Sequence, residues 1–473
     1  MSQQIIAQGY DIKIRVKGLS DTTVILGYHN AGSLQAFDTT WINEKGIGRF
    51  KGDKQIPGGI YFLYLPSQKT QDLLIDDNQN FQIITDTSLS LSNTVYKNSI
   101  VNARFIDYQK NFLAYRNKDA ELAKKLKDST NAEPKESIKR QMNENRKAYE
   151  KFISKTITDN QNNFLGYLIK SIQDIEIPEI PGDTTINPVN SNWQYYYYRN
   201  HYFSNFDLTD ARLFRTPFYQ DKVMTYITKV CEQNPDSLMV QADYLIDKVK
   251  NDSTLFRYML ITLFSHFARS NIMGMDAVTI HIAEKYYLTD SWWSSPKTLA
   301  DIKESVKKTK SLLIGKTAPD MELMHVPSQH FIDAAKDTTL KRYPHAGTMI
   351  DLNMIDAKYL VLLFWEADCG HCKKAVPEMY KLYEQSLKSL NVKILAISTL
   401  FGEEGKIEWI DFVNKNKMYD WINAWNPYSY QYKIKYDIET TPQIFILDEN
   451  KKIIAKKISP EQVVEIIKAL NGE

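Results

Sequence analysis

A run of apolar residues, Tyr359 to Phe364, leads directly into Trp365-Glu366-Ala367-Asp368-Cys369-Gly370-His371-Cys372, and this junction constrains the fold more than any other stretch. Apolar residues in an unbroken row, without polar alternation, describe a strand buried on both faces. The apolar-periodic residues after Cys372 describe an amphipathic helix, so the C-x-x-C opens a helix at the end of a buried strand. Two thiols at that spacing lie one turn apart on the same side, close enough to form a disulfide or exchange one. As a thiolate, the first sulfur also faces the unpaired N–H groups and the positive end of the helix dipole. The pattern is that of a nucleophile with its resolving partner beside it.

Half of a zinc site is one alternative. Zinc takes four ligands, whereas the one other cysteine, Cys231, lies far upstream, with no second C-x-x-C or paired-histidine pattern to complete a set. A static structural disulfide is the other; closing so short a loop stabilises little through chain entropy and leaves Gly370-His371 unexplained. His325, His330 and His345 are irregularly spaced and read as solvated or hydrogen-bonded side chains. Neither a metal nor a cofactor is expected. Cys231, at the end of the apolar-periodic stretch Val223 to Val230, reads as a small buried hydrophobe.

Further spaced features accompany the motif: Phe364-Trp365 before Cys369, Pro377 in the helix after Cys372, and Thr441-Pro442 ahead of another strand-like run. On these residues the stretch Ser311 to Glu473 resembles the thioredoxin superfamily, and within it the TlpA- and ResA-like modules of bacterial cell envelopes. The resemblance implies a kink of the active-site helix at Pro377 and a cis proline at Pro442 packed beside the disulfide.

Position then assigns the chemistry. Cys369 attacks a substrate disulfide or accepts attack, and Cys372, one turn deeper, resolves the mixed disulfide. Gly370-His371 is the dipeptide found in protein disulfide isomerases, and the partial positive charge of His371 is expected to stabilise the Cys369 thiolate. His371, Gly370, Trp365 and Pro442 are thus the expected tuning residues. Substrate contact is expected on Trp365 to Gly370 and on Thr441-Pro442, because the residue before a cis proline offers its backbone to an extended peptide. Two positions depart from family patterns: Leu363 stands where many thioredoxins carry a buried Asp, and Ala375 where ResA-like proteins carry a Glu. The proton acceptor for Cys372 is therefore unassigned. Glu366, Asp368 and Glu378 are candidates by nearness alone, and Asp368 would raise the Cys369 pKa and oppose His371.

The rest of the chain reads as two further domains, which its 473 residues leave room for. Over 9–96, short β-type runs at Asp11 to Val16, Thr22 to Tyr28, Gly59 to Leu65 and Asn80 to Thr85 alternate with Gly, Asp, Asn and Pro turns. They predict a small antiparallel β-sandwich, and this stretch resembles the β-rich domain that precedes such redox modules in envelope proteins of Gram-negative anaerobes. It reads as a client-binding platform or as a folded spacer.

Over 97–310 the apolar spacing turns helical, as in Phe105, Tyr108, Phe112 and Tyr115. Lys118 to Tyr149 is charged enough to be an exposed helical hairpin or mobile, and Ile175 to Asn192 is a proline-broken loop. Trp193 to Phe203 and Leu213 to Tyr219 are dense in aromatics. They either pack helical layers and satisfy their hydroxyls internally or form a surface for a peptide or glycan. This segment also resembles a helical module that accompanies the redox domains.

The expected whole is a multidomain α+β protein, with the thioredoxin-like α/β domain at 311–473. A net charge of +2 gives no argument for nucleic acid. No run reaches the apolar length of a membrane span, and Met1-Ser2-Gln3-Gln4 lacks the regions of a signal peptide. Either the protein is cytosolic, or the sequence is a mature form lacking its signal peptide. The resemblance favours the latter, in the periplasm or cell envelope, with membrane attachment only if the precursor is lipidated.

The expected partners are protein disulfide substrates and an upstream redox donor or acceptor. The expected activity is thiol–disulfide exchange, preferably reduction of disulfides in exported proteins. A disulfide oxidase or isomerase is the alternative, favoured by Gly370-His371, and a client-binding protein with an accessory redox site is the reading from another class.

Overall fold

The computed structural model describes residues 9–129, 132–178, 192–342 and 347–472. By its internal contacts the chain forms two compact units, one of residues 1–232 and 245–256, the other of residues 233–244 and 257–473. The helical stretch read from the sequence as one domain is thus divided between them.

The first unit begins with eight strands: β1 (Asp11–Lys17), β2 (Thr22–Asn30), β3 (Ser33–Ile42), β4 (Ile47–Lys51), β5 (Gly59–Tyr64), β6 (Thr70–Ile75), β7 (Asn80–Asp86) and β8 (Val95–Lys97). They form two four-stranded sheets, ordered β4-β1-β7-β8 and β3-β2-β5-β6. Period-two alternation sends Ile12, Ile14 and Val16 of β1 and Val24 and Leu26 of β2 into one shared core with Leu63, Leu73 and Ile83. The sandwich is present, with one correction: β1 and β7 pair in parallel, from Asp11 opposite Asn80 to Lys17 opposite Asp86. Strands adjacent in space but far apart in sequence are free of the hairpin constraint that enforces antiparallel pairing.

Helices follow: α1 (Ile100–Asp128), α2 (Ala132–Asp159), α3 (Phe164–Ser171), α4 (Trp193–His201), α5 (Ala211–Phe214) and α6 (Phe218–Thr225). Ser99 caps α1 by accepting from the Asn102 N–H. Within the charged stretch, residues 118–128 and 132–149 are helical, and α1 and α2 hold together through aromatic contacts, Tyr115 stacking on Tyr149 at 4.2 Å. Of the expected loop after Ile175, residues 179–191 lie outside the described residues.

In the second aromatic run Tyr219 is fully buried and its hydroxyl donates to the Leu208 carbonyl at 2.7 Å, as internal packing requires. The first run is half-buried on α4. Its rings stack along the helix, Trp193 on Tyr197 and Tyr197 on His201, and Arg199 lies over Tyr196.

Next come α7 (Pro235–Lys248) and α8 (Ser253–Ala268), through which the boundary between the units runs, then α9 (Met275–Ile282), α10 (Leu288–Asp290) and α11 (Pro296–Ser311). Within the second unit the Lys456 ammonium pairs with Asp276 of α9, at 5% and 15% side-chain exposure.

The carboxy-terminal α/β domain holds β9 (Leu323–His325), α12 (Ser328–Lys336), β10 (Thr348–Ile350), β11 (Tyr359–Trp365), α13 (Cys372–Leu382), β12 (Val392–Ser398), α14 (Gly402–Asn416), β13 (Ile422–Trp425), α15 (Gln431–Lys435), β14 (Gln443–Asp448), β15 (Ile453–Lys456) and α16 (Pro460–Leu470). The strands form one seven-stranded sheet, ordered β10-β9-β13-β12-β11-β14-β15. β11 is buried along its whole length. Val361, Leu363 and Trp365 face one core with Val376 and Met379 of α13, while Leu360, Leu362 and Phe364 face another with Tyr432 and Tyr436.

α16 starts on a capping box, Ser459 with Gln462, and has Pro460 in its first turn, where a missing N–H costs nothing. The segment before Asp356 contributes β9, α12 and β10, elements of three, nine and three residues.

Candidate active site

Strand register builds the site. β11 pairs in parallel with β12, Trp365 opposite Ser398, and antiparallel with β14, Phe364 opposite Gln443. The residues just beyond those pairs, Glu366, Thr399 and the Thr441-Pro442 dipeptide, are therefore brought to the same end of the sheet, where β11 delivers the two cysteines. The Thr441-Pro442 peptide bond is cis.

Cys369 precedes α13, and its carbonyl already accepts the Lys373 N–H at 3.0 Å, so the sulfur stands over the first helical turn. Pro377 lies inside α13, and the helix continues beyond Leu382 in a wider, π-type turn over Tyr383–Leu387. Both active-site thiols are free in the structure; Cys369 is half-buried and Cys372 wholly buried. The Cys369 thiol donates to the Thr441 carbonyl at 3.4 Å.

The environments push the two thiols apart. Partial burial, the largest influence, would raise the Cys369 pKa, but the backbone N–H and thiol of Cys372, the Thr441 hydroxyl and the His371 N–H together hold it below the ordinary thiol value. Burial pushes the Cys372 thiol up to about 12, while the Glu366 N–H and the Thr441 hydroxyl act in the opposite direction. One accessible thiol ionises early and the other keeps its proton.

This asymmetry sets an expected result. Because only the thiolate reacts, iodoacetamide should label Cys369 with a midpoint pH below the free-thiol value of about 8.5. Cys372 and Cys231, each pushed by burial to about 12, should stay unlabelled through pH 9. Mass spectrometry of the alkylated peptides across a pH series reads both.

The remaining expected residues fall out as follows. His371 presents its backbone N–H to Cys369 while its ring is exposed. Gly370 is exposed, and a Cβ there would meet nothing within 4 Å, so glycine leaves the flank of the sulfur uncovered.

Trp365 is corrected as a substrate contact. Its side chain is 0% exposed and packs on Phe412 at 5.0 Å, because alternation along β11 turns it into the core.

Of the candidates for proton acceptor, Glu366 reaches the site. Its Oε1 accepts from Thr399 Oγ1 at 2.6 Å and lies 3.5 Å from Lys433 Nζ, and its Oε2 accepts from Thr441 Oγ1 at 3.5 Å. Asp368 is exposed. Thr399 and Lys433 carry no sequence signal; only the register reveals them.

His325 and His330 lie in β9 and α12, with burial holding both below the ordinary imidazole value, and His345 lies outside the described residues. Among the described residues no cluster of three His, Cys, Asp or Glu side chains could hold a metal ion.

Residues 356–453 match a family model described as thioredoxin-like. This stretch of the chain is a thioredoxin-like domain. The carboxy-terminal part of the chain is a thiol–disulfide oxidoreductase-like domain, with the dithiol on the first turn of the helix after the central strand. Residues 127–311 match a second model, described as a domain of unknown function (DUF5106). No curated protein matches the chain.

Among solved structures, a thioredoxin-like protein from Bacteroides caccae is 16% identical over 63% of this chain and 99% of its own, with a TM-score of 0.46. A domain of a possible thiol-disulfide isomerase from Cytophaga hutchinsonii is 29% identical over 34% of this chain and 97% of its own, with a TM-score of 0.27. The thioredoxin domain of a thiol-disulfide oxidoreductase from Bacteroides vulgatus is 23% identical over 34% of this chain and 99% of its own, also with a TM-score of 0.27.

Proposed function

We propose that this protein exchanges electrons with disulfides of exported proteins through Cys369 and Cys372, working as a reductase in the periplasm or cell envelope. The observation that carries the reading is the split between the thiols, an early-ionising Cys369 in front of a buried, late-ionising Cys372, next to a cis-proline loop.

Cys369 attacks the client disulfide, and Cys372 then displaces the client sulfur and leaves the domain oxidised. An extended client strand would lie along Thr441-Pro442, main chain to main chain, with its sulfur presented to Cys369. A redox partner protein resets the pair. No helix among the described residues is long and apolar enough to cross a membrane; a lipidated precursor would supply attachment.

The lowered Cys369 pKa favours a second direction. Stabilising the thiolate stabilises the reduced form and so moves the couple toward oxidation or isomerisation of clients. Equilibration of the purified protein against glutathione and dithiothreitol buffers decides between them. A potential near the −270 mV typical of thioredoxin, about that figure on the general scale, is the expected reductase result. A value near about −180 mV or above reverses the assigned direction to disulfide formation or shuffling.

A further inference from the structure

We propose that Glu366, acting through the Thr441 hydroxyl, is the proton acceptor for Cys372 in the resolving step; this rests on the thiol–disulfide exchange reading above. The Thr441 hydroxyl adjoins the Cys372 thiol, whose pKa it lowers, and it donates to Glu366 Oε2 at 3.5 Å. A hydroxyl both donates and accepts, so it can take a proton from a thiol and pass its own to a carboxylate without moving.

The carboxylate is held for that task. Thr399 fixes Oε1 at 2.6 Å, and the Lys433 ammonium lies 3.5 Å from the same oxygen. Glu366 and Lys433 are 29% and 27% exposed, so a received proton has a route to water. Lys433 and Tyr432, both from α15, are titratable groups that face this carboxylate.

In the step itself, the Cys372 sulfur attacks the Cys369 sulfur of the mixed disulfide as its proton passes to Thr441 Oγ1 and the Thr441 proton passes to Glu366. The Cys369–Cys372 bond forms. The bond from Cys369 to the client sulfur breaks, its electron pair leaves on the client thiolate, and that thiolate is protonated by water. Glu366 then releases its proton to solvent. Glu366 touches neither sulfur through its side chain and is a positioning residue in this scheme, with Thr441 as the group in contact.

The test is a single turnover on a chemical adduct. Cys369 of the full chain is converted to its mixed disulfide with 5-thio-2-nitrobenzoate, and release of the coloured thiolate by Cys372 is followed from pH 5 to 10 for the wild type, Glu366→Gln and Thr441→Val. Wild type is expected to release quickly at neutral pH. Glu366→Gln, which keeps the shape and the Thr399 bond, is expected to be slower by on the order of 10²-fold there. That deficit should close as rising pH ionises Cys372 directly, a pattern that a merely structural role does not produce.

Thr441→Val is expected to show the same pH-dependent deficit, and Glu366→Asp a partial rescue. Wild-type rates and an unchanged pH profile in Glu366→Gln overturn the relay and leave the exchange reading intact. A wild type that never releases the thiolate overturns both.

Discussion

Replacing Cys369 by serine is expected to abolish disulfide exchange, by on the order of 10³-fold or more, because the covalent nucleophile is gone while the fold is untouched. Its half-buried side chain sits at the rim of the core, and exchanging sulfur for oxygen there leaves no cavity. Cys372→Ser should fail differently. The attacking thiol remains, so a mixed disulfide with the substrate accumulates on Cys369 and is visible on a non-reducing gel.

Turnover of a disulfide-bonded protein substrate, measured for both variants, separates the two steps. Undiminished turnover in Cys369→Ser would place the chemistry elsewhere in the chain. Unchanged client binding with no exchange even in the wild type would turn the protein into a binding protein with an accessory redox site.

Asp276→Ala is expected to destabilise the unit that holds the redox domain by about 3–5 kcal/mol, the range for breaking one partner out of a buried ion pair. Lys456 at the end of β15 is 5% exposed, and burial already holds its pKa below the ordinary lysine value despite the pull of Asp276. Without the carboxylate the ammonium faces the same desolvation with no counter-charge. The double replacement Asp276→Leu with Lys456→Met removes both charges and should recover most of the loss. Urea unfolding of the two single variants and the double one forms a mutant cycle, and its coupling energy measures the pair. A double variant as unstable as the single would show that packing, rather than charge, accounts for the effect.

What the sequence made legible follows from burial. Strands buried on both faces read as continuous apolar runs, so Val392–Ser398 and the strand from Tyr359 were recognisable from composition alone. The last helix carries its start signal locally, in Ser459 and Pro460. In the sandwich β3 stayed hidden, since as an edge strand it is mostly exposed and reads Ser-Leu-Gln-Ala-Phe-Asp-Thr-Thr-Trp-Ile. β6 opens on Thr70-Gln71-Asp72 and looks like a turn.

At the site, both cysteines and the cis-proline dipeptide follow from local spacing. The setting of Glu366 does not, because Thr399, Lys433 and Thr441 reach it from 33, 67 and 75 residues away. Such contacts are set by strand register, which a single sequence does not display. Trp365 was expected to touch substrate, and its burial was hidden for the related reason that the side toward which a strand's last residue turns depends on the sheet it joins.

Cys231 has a consequence in stoichiometry. Three cysteines allow three pairings, and Cys369 and Cys372, three residues apart at one helix start, are the two placed to bond each other, whereas Cys231 is 4% exposed and closed to a client disulfide. The Cys369–Cys372 couple stores one electron pair in one bond, and titration of the oxidised protein with a two-electron reductant should end at one equivalent per polypeptide.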